Sequence, residues 1–411
     1  MTTKYQSQPL DAPFLRGMER GEASLLGIGC AVPPLRVTAE QAREFTLRAL
    51  EADCHENGLE PRQAETTRAL VQRIHDRGGI EARHSVIPDW LESDPYKFQF
   101  FPPTPSLDPA PGTAQRMDLF ERQAPHLAGE AALKALAASG LSPHQITHLV
   151  ISTCTGFFAP GLDVMLARQL GLASTVSRTL IGFMGCYAGI VGMRSVGQIV
   201  AAQPEAAVLQ ICVELCSIHF RKDWSGDAIV SGALFGDGAA AAVWVGPDHP
   251  GMPGMANDGP PGEDRPRARL VTNHSMVSPD TLDHMSWRIT DTGFAMTLDV
   301  GVPAVLQNAA PPFVDELLQR AGLSRTEVAG WAIHPGGRRI LDVLKSSLEL
   351  TDADLASSYQ VLRQYGNMSS STILFVLEEE LRRTDRSPGP VVCLAFGPGL
   401  TIEGAVLERL A

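Results

Sequence analysis

Three residues of this chain could together make and use a carbon nucleophile: Cys186, His334 and Asn367. Cys186 follows an apolar, strand-like run that reaches Phe183 and precedes small residues of helical period. A thiol at a helix N-terminus feels the macrodipole and free N–H groups, which favour thiolate. Gly185 and Gly189 permit the tight turn and close backbone approach that such a nucleophile needs. Taken alone, a Gly-Cys in an apolar run reads as core filler. His334 closes the strand-like run Gly330-Trp-Ala-Ile-His and meets a Pro335-Gly336-Gly337 turn, a position suited to a general base. It could hold Cys186 as thiolate in an ion pair and later donate a hydrogen bond. Asn367, in Tyr365-Gly-Asn-Met-Ser-Ser-Ser, offers an amide NH₂ to a developing oxyanion without competing as a base. The bland alternative is an ordinary helix cap.

Together the three suit decarboxylative condensation. The cysteine takes an acyl group as a thioester. Histidine and asparagine hold a malonyl thioester carbonyl while CO₂ leaves, and the resulting carbanion attacks the acyl-cysteine. A peptidase also uses Cys and His, but hydrolysis needs an activated water that a condensing enzyme must exclude.

An internal repeat says how these residues are positioned. Gly140-Leu-Ser-Pro-His-Gln-Ile-Thr-His-Leu-Val-Ile-Ser152 parallels Gly322-Leu-Ser-Arg-Thr-Glu-Val-Ala-Gly-Trp-Ala-Ile-His334, each after an apolar-periodic helix. Gly185-Cys186 is echoed by Gly366-Asn367, and Phe235-Gly-Asp-Gly by Phe396-Gly-Pro-Gly. The same order recurring in both halves predicts a duplicated α/β unit, with two sheets flanked and separated by helices about a pseudo-twofold axis. The expected divisions are an N-terminal arm (1–22), a first half (23–245), a Pro/Gly-rich linker or surface loop (246–268) and a second half (269–411). Helical periodicity runs from about Thr38 to Arg77, and Phe98–Thr113 reads as a long surface loop.

The bulk numbers narrow the function. A net charge of −12 works against nucleic-acid binding and means that an anionic substrate needs a local basic patch. No apolar run is long enough for a signal peptide or a membrane span, so the reading is cytoplasmic. The seven cysteines are scattered with no CxxC pair, which argues against a disulfide framework and a zinc site.

The motifs GCYAG at Cys186, FGDGAAA at Phe235, HPGG at His334, YGNMSS at Asn367 and FGPGLTIE at Phe396 resemble the bacterial type III polyketide synthases. These are chalcone synthase-like enzymes of the thiolase superfamily, and the resemblance runs from about Leu25 to the C-terminus. It implies the five-layer αβαβα thiolase fold and a homodimer. It further implies starter loading on Cys186 from an acyl-CoA, extension by malonyl-CoA, and no metal or nucleotide cofactor. Phe235 and Phe294 match the family's two gatekeeper phenylalanines. Arg73 and Arg77, placed on one helix face by their spacing, match positions contacting CoA phosphates. Cavity positions are implied for Cys154, Cys216, His219, Ser231, Met285 and Ser369, and Ala159 stands where the plant enzymes carry a methionine that reaches across the dimer.

This pattern is similar to enzymes that make alkylresorcinols and alkylpyrones from medium or long acyl starters, the favoured expectation. It overlaps with tetrahydroxynaphthalene- or phloroglucinol-type synthases, which use malonyl-CoA alone. An acyl carrier protein could stand in for CoA as acyl donor. A single-round ketoacyl synthase III-like enzyme lacks the FGPG ending, and a non-catalytic thioester-binding relative would have lost Cys, His or Asn. A degradative thiolase would need Cys393 as a second reactive thiol, and that residue reads as a buried strand position.

Overall fold

Gly140 and Gly322 adopt nearly the same left-handed angles (φ 72° and 74°), each ending a long helix, so the repeat in the sequence is also a repeat of backbone. The computed structural model describes residues 23–250 and 268–410. The expected arm and most of the expected linker lie outside them.

The first half runs β1 (Ser24–Ala31), β2 (Leu35–Thr38), α1 (Ala39–Glu56), α2 (Pro61–Arg77), β3 (Ala82–Ser85), α3 (Thr113–Ser139), β4 (His148–Thr153), α4 (Leu162–Gln169), β5 (Ser177–Gly182), α5 (Ala188–Ala202), β6 (Ala207–Leu215), α6 (Gly226–Leu234) and β7 (Asp237–Val245). The second runs β8 (Ala268–Val277), β9 (Met285–Thr290), β10 (Gly293–Leu298), α7 (Val302–Ala321), β11 (Gly330–Ile333), α8 (Arg338–Ser347), α9 (Ala356–Tyr365), α10 (Thr372–Arg382), β12 (Gly389–Gly397) and β13 (Thr401–Arg409). The helical run expected over Thr38–Arg77 is two helices. Gly58 (φ 67°) breaks it, and Pro61 starts the second at a position where its missing N–H costs nothing.

Strand order is β11-β12-β13-β8-β1-β7-β6-β4-β5. Read outward from the centre, β1-β7-β6-β4 and β8-β13-β12-β11 have the same sequence of pairings: antiparallel, antiparallel, parallel. The two expected sheets meet edge to edge through only Ser24↔Arg269 and Leu25↔Ala268, which makes hydrogen bonding continuous across nine strands.

Alternation along the strands feeds three cores. Leu209, Ile211 and Val213 of β6 pack with α3 on one outer face. Val392, Leu394 and Phe396 of β12 pack with α7 and α8 on the other. Val208 and Cys212, with Val391, Cys393 and Ala395, face a central core filled by α5 and α10. The layers are therefore helix, sheet, helix, sheet, helix: the thiolase fold. The Gly140 and Gly322 turns each carry a reciprocal cap, Ser142 N–H to Gln145 Oε1 at 2.9 Å and Ser324 N–H to Glu327 Oε2 at 2.8 Å.

Candidate active site

Cys186 precedes α5 in the central layer, on a turn only glycine can make at the residue before. Gly185 has φ 83°, and a Cβ there would lie 2.6 Å from Pro398 Cδ. The FGPG loop of the second half therefore braces the cysteine turn of the first. Phe183 (φ 57°) and Ser369 (φ 49°) also hold left-handed angles, a strain of about 1–3 kcal/mol each that concentrates beside the thiol.

Asn367 is fixed by backbone pairing with Phe235: its N–H donates to Leu234 O (3.0 Å), and Gly236 N–H donates to its carbonyl (3.0 Å). Its Oδ1 accepts the Ser369 N–H at 2.8 Å, and both ends of the amide reach Cys186 Sγ, Nδ2 donating at 3.8 Å and Oδ1 accepting at 3.9 Å. His334 sits just past β11, whose last residue is clamped by the Ser358 hydroxyl, which donates to Ile333 O at 2.6 Å. The imidazole is fully buried, and neither ring nitrogen has a hydrogen-bond partner. A buried polar ring left unpaired is costly unless something arrives to pair it.

All three residues border one apolar cavity of about 800 Å³, and Phe235 stands beside them. Burial pushes the Cys186 thiol up to about 11, against the pull of hydrogen bonds from Ser369 and Asn367. Burial also pushes His334 down to about 3. Each shift favours the neutral form of its group, and no hydrogen bond joins the two side chains.

Behind Phe235 lies a second cavity of about 80 Å³, lined in part by Cys154, Cys216, His219, Ser231, Met285, Ser369 and Phe294. Burial raises the Cys154 and Cys216 thiols well above the usual range. Cys154 Sγ is 3.2 Å from Ser369 Oγ. His219 accepts the Phe294 N–H at Nδ1 (3.1 Å), which leaves Nε2–H to donate to Thr155 O (2.7 Å) and fixes the neutral tautomer. Beneath the floor, Glu214 ties two loops together: it accepts from the Cys154 N–H and the Thr155 hydroxyl on one side and from the Ser370 hydroxyl on the other. The cavity positions were expected from the sequence, and the Glu214 brace was not.

Phe294 is 1 % exposed, stacked on His219 with ring centroids 4.1 Å apart, and lines the inner cavity. Met296, two residues along β10 and on the same face, borders both cavities, as do Phe235 and Met285. The threshold is one phenylalanine and two methionines. Alternation on β10 was the signal that could have found Met296. Replacing Met296 with alanine should change the product-size distribution by mass spectrometry at little cost in melting temperature. Phe294→Ala, which empties a fully buried ring site, should cost about 3–5 kcal/mol in denaturant unfolding.

Arg73 and Arg77 lie on the last turns of α2 at the outer cavity's mouth. A helix C-terminus favours cations in any case, so position alone does not assign them a ligand. Cys393 is fully buried on β12 and borders neither cavity. Among the described residues no group of three His, Cys, Asp or Glu side chains is placed to hold a metal ion, and no helix is long and apolar enough to cross a membrane.

Residues 15–249 match the family described as chalcone and stilbene synthases, N-terminal domain, and 269–411 match the corresponding C-terminal domain. The chain is 33% identical over 393 residues to 1,3,6,8-tetrahydroxynaphthalene synthase of Streptomyces peucetius subsp. caesius, covering 95% of this chain and 94% of that protein. It is 29% identical over 412 residues to probable polyketide synthase 1 of Dictyostelium discoideum, of whose length it spans 12%. Among solved structures it is similar to PKS-I of the brown alga Ectocarpus siliculosus, with TM-score 0.82, 30% identity and coverage of 95% and 99%. The C-terminal type III polyketide synthase domain of Steely1, a type I/III hybrid from Dictyostelium, gives TM-score 0.79 at 26% identity, covering 95% of this chain and 100% of that one.

Proposed function

Because the chain belongs to the chalcone and stilbene synthase family and is a type III polyketide synthase, an acyltransferase-type condensing enzyme, we propose that Cys186 carries a short acyl starter which malonyl units then extend. Cys186 attacks the starter thioester, and CoA leaves with the proton held by His334. Malonyl-CoA enters the outer cavity next, with its thioester carbonyl between the His334 ring and Asn367 Nδ2. Loss of CO₂ leaves an enolate there, whose carbon attacks the Cys186 thioester; the new C–C bond forms as the C–S bond breaks, which frees the Cys186 thiolate and leaves the extended chain on CoA. The family uses no cofactor beyond its CoA substrates.

The observation that carries the short-starter reading is the inner cavity's size. About 80 Å³ is room for only a few waters at their ~30 Å³ share of liquid volume. That supports a short starter, as in assembly from malonyl-CoA alone, over the medium or long acyl starters that the motif pattern favours. One observation favours the alkylpyrone or alkylresorcinol reading instead: Met285 and Met296 are unbranched, flexible side chains able to swing from the threshold. Incubation with labelled malonyl-CoA, with and without dodecanoyl- to octadecanoyl-CoA, decides between them by mass spectrometry. A product from malonyl-CoA alone supports the first reading. Alkylpyrones or alkylresorcinols that require the fatty starter sink it.

We also propose that the working unit is a homodimer joined along β5. This edge strand pairs only with β4 and exposes Leu180 at 46 %, with Phe157 and Phe183 beside it exposed at 50 % and 38 %. Leu180→Lys should shift the sedimentation coefficient from dimer to monomer; a wild type that is monomeric at micromolar concentration refutes the proposal.

A further inference from the structure

A further cavity, of about 160 Å³, lies against the inner one, and Phe220, Arg221 and Asp223 line both. Its remaining wall is apolar at Phe101 and Leu107 and cationic at Arg116 and Lys222. The site described above makes no use of it.

Its cations are unevenly neutralised. Lys222 is held between Asp53 (2.6 Å) and Asp108. Arg221 pairs with Asp223 at 3.1 Å, and the other oxygen of that carboxylate accepts the Ser225 N–H (3.0 Å) and hydroxyl (2.6 Å). Arg116 is different. It is 1 % exposed, and it donates from Nε to Pro111 O (3.0 Å) and from Nη1 to Ile218 O and Phe220 O (3.1 Å). Those carbonyls fix the guanidinium but bring no negative charge. Among the described residues its Nη2 has no hydrogen bond, and no carboxylate pairs with it. Burial, and then the charge of Arg221, push Arg116 down to about 10. A buried cation without a counter-charge is costly, and an anion entering beside Arg116 and Arg221 relieves that cost.

We infer that Arg116 and Arg221 form an anion subsite behind the inner cavity, holding the free-end carboxylate of a chain primed by intact malonate. The inference rests on the reading of assembly from malonyl-CoA alone, and it names the group that the first unit keeps. Loading is a thioester exchange. The bond from Cys186 Sγ to the malonyl carbonyl forms, the bond from CoA sulfur breaks, the thiol proton leaves with CoA, and the carboxylate is carried over. Loss of CO₂ would move negative charge from oxygen to carbon, away from the guanidinium groups. Cations at the carboxylate stabilise the starting state more than that transition state, so the starter resists the decarboxylation that the extender undergoes. Space agrees with charge. New units enter at the Cys186 end, so growth drives the free end out of about 80 Å³ toward the shared wall and the pocket beyond it.

The first test quenches wild type during turnover of malonyl-CoA carrying ¹³C in its free carboxyl and reads the Cys186 peptide by mass spectrometry. The adducts should retain a labelled carboxylate; unlabelled, acetyl-ended adducts overturn the subsite. Arg221→Met, at a partly buried position, then asks what holds that group. Product from malonyl-CoA alone should fall roughly tenfold or more, the usual loss with a charge-assisted hydrogen bond. Product primed by acetyl-CoA, whose free end is a methyl, should stay within about twofold. Arg221→Lys should restore part of the malonyl-primed product, because charge persists without the planar fork. A parallel fall in both products marks a purely structural arginine and overturns the subsite. If wild type makes nothing from malonyl-CoA alone, the underlying reading fails and the subsite falls with it.

Discussion

Cys186→Ala is expected to abolish product formation from any starter, by roughly 10⁴-fold or more, while the protein stays folded. Among the described residues Cys186 is the one cysteine that lines the outer cavity; Cys154 and Cys216 line the inner one, where burial raises their thiols. Removing one buried sulfur empties about the space of a single methyl group beside an existing cavity, so the melting temperature should move little. Intact-protein mass spectrometry after exposure to acyl-CoA should show an added acyl group on wild type and none on the variant. Decarboxylation of malonyl-CoA should survive, because the groups placed for it are His334 and Asn367. Labelled acyl attachment persisting in Cys186→Ala would remove Cys186 from its role.

Asn367→Ala should give the opposite division. Loading on Cys186 should continue, while decarboxylation and extension fall by roughly 10²–10³-fold, the usual loss of one oxyanion donor. The argument is geometric. Asn367 Oδ1 is fixed by the Ser369 N–H, so Nδ2 is presented to the cavity without a rotamer search, 3.8 Å from the sulfur that carries the acyl group. Truncation also strands that buried Ser369 N–H, at a cost of about 1–3 kcal/mol in unfolding free energy. Asn367→Asp separates the two effects. The carboxylate can still accept from Ser369 but repels an enolate, so stability should recover and decarboxylation should not. Extension at near wild-type rate in either variant would show that the amide is not the donor.

The sequence was most legible where duplication wrote the same instruction twice. The helix, Gly-Leu-Ser turn and strand could be matched between halves, and so could Cys186 with Asn367 and Phe235 with Phe396. Each pair lands at corresponding points of the fold. Properties set by several segments at once were not legible. Inner-cavity volume depends on side chains as far apart in sequence as Trp90, Cys154, His219 and Pro398. The separation that keeps Cys186 and His334 from hydrogen bonding is a matter of ångströms between two halves. Phe294 was assigned by motif, whereas its strand partner Met296 reaches the threshold because β10 turns alternate residues to the same side.

The central layer has a consequence for how the molecule must come into being. α5 belongs to the first half and α10 to the second, yet they share one core, and β13 lies beside β8 near the middle of the sheet. On a ribosome the first half emerges with the apolar underside of α5 bare and cannot cover it until α10 and the final strands follow. The first half can complete its α3 core alone, but the central core needs both halves. Heat or denaturant should therefore meet one cooperative unit, and the halves, separated by cutting between them, should aggregate rather than reassemble.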